Sequence, residues 1–223
     1  MGVKVKICKI IDVHTAMVLD SLGVDFIGLH AIWELNPDKE ALYKNIIKAV
    51  KKTKPVIVTR TKDFNVLGKI VNSLRPDFIQ LHSNWNREEL KKLKFSFELK
   101  QHYIPKIIGV VALENYSSIR LIDEIFDLVD FILFDRSFRG GTGIQIEENI
   151  LRNSIQIIKS YGVPFFIAGG LTPENVGHYV KSYKPYGVDV QSGVEIDGAP
   201  GFKDYIKVKK FVEEVRKYEA LAF

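Results

Sequence analysis

Cysteine is nearly absent: the chain has one, which rules out an internal disulfide and with it the small, disulfide-stapled secreted domains. Long apolar runs are missing too. The most apolar long stretch, residues 121–134, is broken by Asp123, Glu124, Asp127 and Asp130, short of the ~20 apolar residues that a membrane helix needs. The opening Met1-Gly2-Val3-Lys4-Val5-Lys6 enters a strand pattern instead of a charged and then apolar leader, so the expected location is the cytoplasm. The five histidines are scattered, and no Cys/His pairing has metal-ligand spacing. No metal and no cofactor are expected. No Gly-x-Gly-x-x-Gly follows the first strand pattern, which removes the main support for a dinucleotide-binding sheet. Charge is present but unclustered. The net +5 comes from lysines spread over helical stretches, which reads as solvated faces and not as a nucleic-acid stripe, although it favours an anionic substrate.

What the chain does have is alternation. Strands are expected over 3–7, 24–29, 55–59, 77–81, 106–111, 130–134, 162–168 and 187–190. Helices are expected over 13–22, 39–51, 64–74, 87–93, 117–128, 147–160, from 172 onward, and over 205–218, with 94–105 read as a loop. Eight strands alternating with eight helices through mostly short connections predict an α/β fold, a single-domain (βα)8 TIM barrel of the phosphate-binding type. The 223 residues are close to the ~250 typical of that architecture.

Two glycine turns stand where the last two strands should end. Ala168-Gly169-Gly170-Leu171 leads into Thr172-Pro173-Glu174-Asn175, and Val190-Gln191-Ser192-Gly193 leads into Val194-Glu195, a short helix candidate. Glycine turns opening helix N-termini leave backbone N–H groups unpaired at the positive end of a helix dipole, which suits a phosphate. The phosphate contacts expected from these turns are Gly169, Gly170, Ser192 and Gly193; the loop after the sixth strand, with Gly141, Thr142 and Gly143, is long and glycine-rich enough to move over a ligand. In a barrel the chemistry sits at the C-terminal strand ends, where Cys8 and Asp135 fall. Taken alone, Cys8 reads as a small buried hydrophobe and Asp135 as a turn former. Lys6 shares the inward face with Cys8 and needs a partner there; Asp189, on the strand that closes against the first, is expected to supply it.

Val5-Lys6-Ile7-Cys8, Gln80-Leu81-His82, Asp135 with Gly140-Gly141-Thr142-Gly143, Ala168 to Val176, and Val188 to Glu195 with Pro200-Gly201-Phe202-Lys203-Asp204 together resemble the phosphoribosylanthranilate isomerases of tryptophan biosynthesis over nearly the whole chain. The resemblance implies an Amadori rearrangement of a phosphoribosyl anthranilate, with Asp135 as general acid, Cys8 as general base and the glycine loops holding phosphate. It also implies a small-molecule phosphosugar as partner, with no nucleic acid or membrane; no signature of an oligomeric state accompanies it. Four departures surround the aromatic end of the substrate. The family's Cys-Gly-Ile-Thr is Cys8-Lys9-Ile10-Ile11, its Ser-Pro-Arg matches Asn36-Pro37-Asp38, its Gly after Gln-Leu-His is Ser83, and its Gly-Val-Phe is Ile57-Val58-Thr59-Arg60. Asp38 cannot replace an arginine that pairs with a carboxylate. Arg60 is the expected substitute, ahead of Lys39, and His82 the expected neighbour of the aglycone. Two alternatives stay open on the residues: a barrel that binds a phosphosugar without turnover, and one that isomerises a phosphosugar with another aglycone.

Overall fold

The structure, a computed structural model, describes residues 2–101, 103–139 and 145–218. Eight strands, β1 (Lys4–Ile7), β2 (Phe26–His30), β3 (Lys54–Thr59), β4 (Phe78–Leu81), β5 (Lys106–Ala112), β6 (Phe131–Asp135), β7 (Phe165–Ile167) and β8 (Gly187–Val190), pair in parallel and in chain order into a closed barrel. The helices between and after them are α1 (Val13–Ser21), α2 (Pro37–Ala49), α3 (Phe64–Leu74), α4 (Arg87–Gln101), α5 (Arg120–Ile125), α6 (Glu148–Ser160), α7 (Val176–Tyr183) and α8 (Tyr205–Lys217). After β8 come a single 3-10 turn, Ser192–Val194, and an antiparallel hairpin of β9 (Glu195–Ile196) and β10 (Ala199–Lys203). No helix among the described residues is long and apolar enough to cross a membrane.

Each strand is buried on both faces. Outward residues such as Ile7, Ile27, Ile57 and Ile132 pack under the helices in one apolar layer, while inward residues fill the barrel. The inner base is aromatic: Phe26, Phe78, Phe131 and Phe166 meet at ring separations of 5.2 to 6.0 Å, mostly edge-on or tilted. Lys54 Nζ lies over the Phe78 ring at this base, while Lys6, Cys8, Gln80, His82, Asp135 and Asp189 are buried nearer the C-terminal ends of their strands. Helix starts are fixed there by side-chain caps, Asp12 accepting from Thr15 N, Asn36 from Lys39 N, and Asp63 from Asn65 and Val66 N.

Three expectations need correction. The loop read over 94–105 is largely helix, because α4 continues to Gln101 on a stripe of buried Leu90, Leu93 and Phe97; Phe95 and Leu99 are exposed and lie off that stripe. The helix expected from 172 begins at Val176, since Asn175 turns back to take the Thr172 N–H and to donate to the Gly170 carbonyl, holding 172–175 as a tight turn. The fifth helix starts as a 3-10 turn at Tyr116–Ile119 and ends at Ile125.

Candidate active site

The β1–β8 register sets Lys6 opposite Asp189, and the expected ion pair is present at 2.9 Å. Lys6 is fully buried, and its Nζ also donates to Cys8 Sγ at 2.7 Å. Burial alone would lower the lysine's pKa, but Asp189 and Cys8 outweigh it and raise it, so the ammonium stays charged. The thiol is pushed up to about 12 by burial and by Asp189, against the pull of Lys6. Its resting form is therefore S–H, directed to Asp189 Oδ2 at 3.5 Å. Burial first, and then the carboxylate that keeps Lys6 charged, oppose ionisation of the thiol. With one cysteine in the chain, alkylation reads this directly. The native rate should climb about tenfold per pH unit from pH ~7 to ~10, while the unfolded chain levels off above ~8.5. A native rate that levels near pH ~8 would contradict the buried-thiol assignment.

Space for the sulfur comes from Gly28 on β2, where a Cβ would sit 2.6 Å from Sγ. Asp135 gains its place similarly. Gly169, at φ +83°, leaves a gap in which a Cβ would lie 3.2 Å from Asp135 Oδ1 and 3.0 Å from the Arg136 N–H nitrogen. The Asp135 carboxyl, pushed up to about 6 by burial and then by Asp189, accepts from Arg136 N at 2.6 Å.

Cys8, Asp135, Gly169, Gly170 and Ser192 line one rim cavity of about 530 Å³. Gly193 lies behind it, so close to the Leu171 carbonyl that an added Cβ would stand 1.9 Å from the oxygen; the turns after β7 and β8 are interlocked there. Gly170 has φ +66°, and among the described residues the N–H groups of Gly169 and Gly170 have no acceptor. Gly141, Thr142 and Gly143 lie outside the described residues.

Arg60 and His82 also line the cavity. One Nη of Arg60 donates to the Arg139 carbonyl, and its buried Nε has no partner among the described residues. Ser83 donates to the Arg60 carbonyl at 2.7 Å, so the hydroxyl that replaces a glycine steadies this strand end. His82 Nδ1 is 3.0 Å from the Gln80 amide nitrogen, and burial, with Arg60 next, takes its pKa down to about 3. The reading of Asn36-Pro37-Asp38 as a substrate-facing turn is corrected. Asn36 caps α2, Pro37 opens it, and Asp38 and Lys39 are exposed outside the cavity. Three contributors went unread in the sequence: Gly28, His30 and Arg139. A glycine inside a strand was the available signal for the first, and the residue two further along the same face, His30, follows from alternation.

The sequence model of N-(5′-phosphoribosyl)anthranilate (PRA) isomerase matches residues 36–214. The chain belongs to this family. It is 32% identical to the N-(5′-phosphoribosyl)anthranilate isomerase of Clostridium acetobutylicum, covering 97% of this chain and 100% of that one. It is 30% identical to that of Petrotoga mobilis, covering 96% and 97%. A solved phosphoribosyl anthranilate isomerase in complex with reduced 1-(o-carboxyphenylamino)-1-deoxyribulose 5-phosphate superposes with a TM-score of 0.71 at 20% identity, over 96% of this chain and 99% of that one. Within the family's barrel, the described rim of this chain places a buried acid, a buried thiol and two glycine turns on one cavity.

Proposed function

We propose that the protein isomerises N-(5′-phosphoribosyl)anthranilate to 1-(o-carboxyphenylamino)-1-deoxyribulose 5-phosphate, the Amadori step of tryptophan biosynthesis, in the cytoplasm. One observation carries the assignment of roles. Around the rim the order is Asp135 on β6, the glycine turns after β7 and β8, then Cys8 on β1, so the phosphate corner lies between acid and base. A ribose anchored by its 5′-phosphate at Gly169, Gly170, Ser192 and Gly193 presents its ring between the two groups.

Asp135, protonated below about pH 6, gives its proton to the ring oxygen, and the C1′–O4′ bond breaks to a C1′=N iminium. The cation that forms beside Sγ offsets the burial and the Asp189 charge that hold the thiol protonated, so the thiol proton passes to Asp189 Oδ2, toward which it already points, and leaves the thiolate. Cys8 then takes the C2′ proton, giving an enolamine; protonation at C1′ and loss of the 2′-hydroxyl proton yield the ketone. Lys6 fixes Sγ and Asp189, and the unpartnered, buried Asp189 Oδ1 accepts a ribose hydroxyl. The aglycone extends over β2 to β4, where Arg60 and His82 stand. Because Asp38 is exposed outside the cavity, it does not oppose the carboxylate.

Turnover of N-(5′-phosphoribosyl)anthranilate by the purified protein is the test. Arg60→Ala should raise KM at least about tenfold with kcat nearly kept, the ~1.4 kcal/mol of a charge-assisted pair. Binding of the phosphosugar without any turnover would leave a non-catalytic barrel in its place.

A further inference from the structure

Three non-glycine residues among those described have positive φ: Lys9 at +61°, Arg75 at +42° and Lys184 at +49°. Arg75 and Lys184 are left-handed caps ending α3 and α7, a position that commonly adopts this conformation. Lys9 ends no helix. It follows Cys8 directly, and its backbone is held on both sides, Cys8 N–H donating to the Val190 carbonyl at 2.9 Å and Ile10 N–H to the Gly28 carbonyl at 3.0 Å. A side chain is strained in that region where glycine is not, so a lysine there carries a cost that the fold does not require.

The side chain also lines the cavity. Its stem runs beside Gly201 of the β9–β10 hairpin, Cε standing 3.5 Å from where a Cβ would be, an ordinary contact distance. Lys9 makes no hydrogen bond or ion pair with any described residue. The other two cations on this side are matched: Lys6 is paired with Asp189, and Lys203, buried, with Glu195 at 3.0 Å. Next to β1, at the end of β2, is His30, whose Nε2 is buried with no partner among the described residues, and whose carbonyl is fixed by Tyr43 Oη at 2.9 Å. Burial first, then the cations Lys6, Lys203 and Lys9, hold the His30 ring neutral. Lys9 and His30 thus line the cavity from the ends of the neighbouring β1 and β2, close enough for the ammonium to act on the ring, with Arg60 next along the rim after β3.

We propose that Lys9, with His30 beside it, forms the second pole of the aglycone carboxylate subsite, opposite Arg60. This rests on the isomerase reading above. A carboxylate has two oxygens, so an ammonium from β1 and a guanidinium from β3 serve it together. Among the described residues Lys9 and Arg60 form no salt bridge, although Asp135 acts on Arg60 through space.

The test uses two probes, reduced 1-(o-carboxyphenylamino)-1-deoxyribulose 5-phosphate and the same compound lacking the carboxyl group, with Kd measured by calorimetry. Lys9→Gly should weaken the first about tenfold and leave the second unchanged, and Lys9→Arg should keep the wild-type preference. Lys9→Gly should also melt at a temperature no lower than wild type, since glycine relieves the strained φ, which separates lost charge from lost fold. Equal weakening of both probes would make Lys9 a general anion attractor, and no change in either would remove it from the site; each overturns the proposal. Wild-type protein that binds both probes equally would overturn the carboxylate subsite while leaving phosphosugar binding intact. Binding of neither probe would overturn the isomerase reading and this one with it.

Discussion

Cys8→Ala and Asp135→Asn are each expected to lower turnover by at least ~10²–10⁴-fold while the phosphosugar still binds, because each removes one proton transfer from a cavity with no evident substitute. Dissociation constants for the product analogue should stay within a few-fold of wild type, since the phosphate corner is built from other residues. The aspartate variant has a second signature. The Asp135 carboxyl is raised from 3.8 to about 6 in the folded protein, so its ionised form is disfavoured by folding. The resulting cost is absent below about pH 4, grows through the interval to about pH 6 and is complete above it, at most roughly 3 kcal/mol. Asp135→Asn should therefore be more stable than wild type at pH ~8, with the two melting curves converging near pH ~4. Near-normal turnover in either variant, or a stability gap that widens in acid, would remove the acid–base assignment.

Gly193→Ala should be the most damaging of the glycine substitutions. The added methyl would lie 1.9 Å from the Leu171 carbonyl oxygen, and every atom it meets there is backbone, so the turns after β7 and β8 must part. A stability loss of roughly 2–4 kcal/mol and a weakening of phosphate-bearing ligands by about a hundredfold or more are expected. Gly162→Ala supplies the comparison: Gly162 has φ +69° but open space around it, so that change adds backbone strain of only ~1 kcal/mol and leaves ligand affinity alone. If Gly193→Ala bound the product analogue like wild type, the phosphate would have to sit elsewhere.

The barrel was legible because its strands are short, apolar and bounded by turn residues, and because parallel strands buried on both faces leave that trace. Cys8, Asp135 and the Lys6–Asp189 pair followed from strand ends and alternation, which fix depth and face without distances. The thiol's protonated state did not follow, since it depends on how near Asp189 comes to Sγ. Asp38 misled because Asn36-Pro37 has the same residue types whether it caps a helix or turns toward a ligand. Gly28 and Lys9 were hidden for opposite reasons: one contributes by lacking a side chain, the other by holding a conformation that its side chain disfavours. The length of α4 was obscured because Phe95 and Leu99, exposed apolar residues off the buried stripe, blur its helical period.

The Lys6–Asp189 pair joins residues 183 positions apart, the first strand of the barrel to the last. During synthesis, β1 emerges early, yet the ammonium it carries inward has no counter-charge until β8 exists and docks. Any partial barrel must leave Lys6 in water or bury it unpaired, and the second choice is severely penalised. So long-range a contact also makes closure a slow, late step of folding. Refolding chains should thus recover helical signal well before the thiol is shielded from alkylation. The resting arrangement of Cys8 forms only when the ring of strands becomes complete.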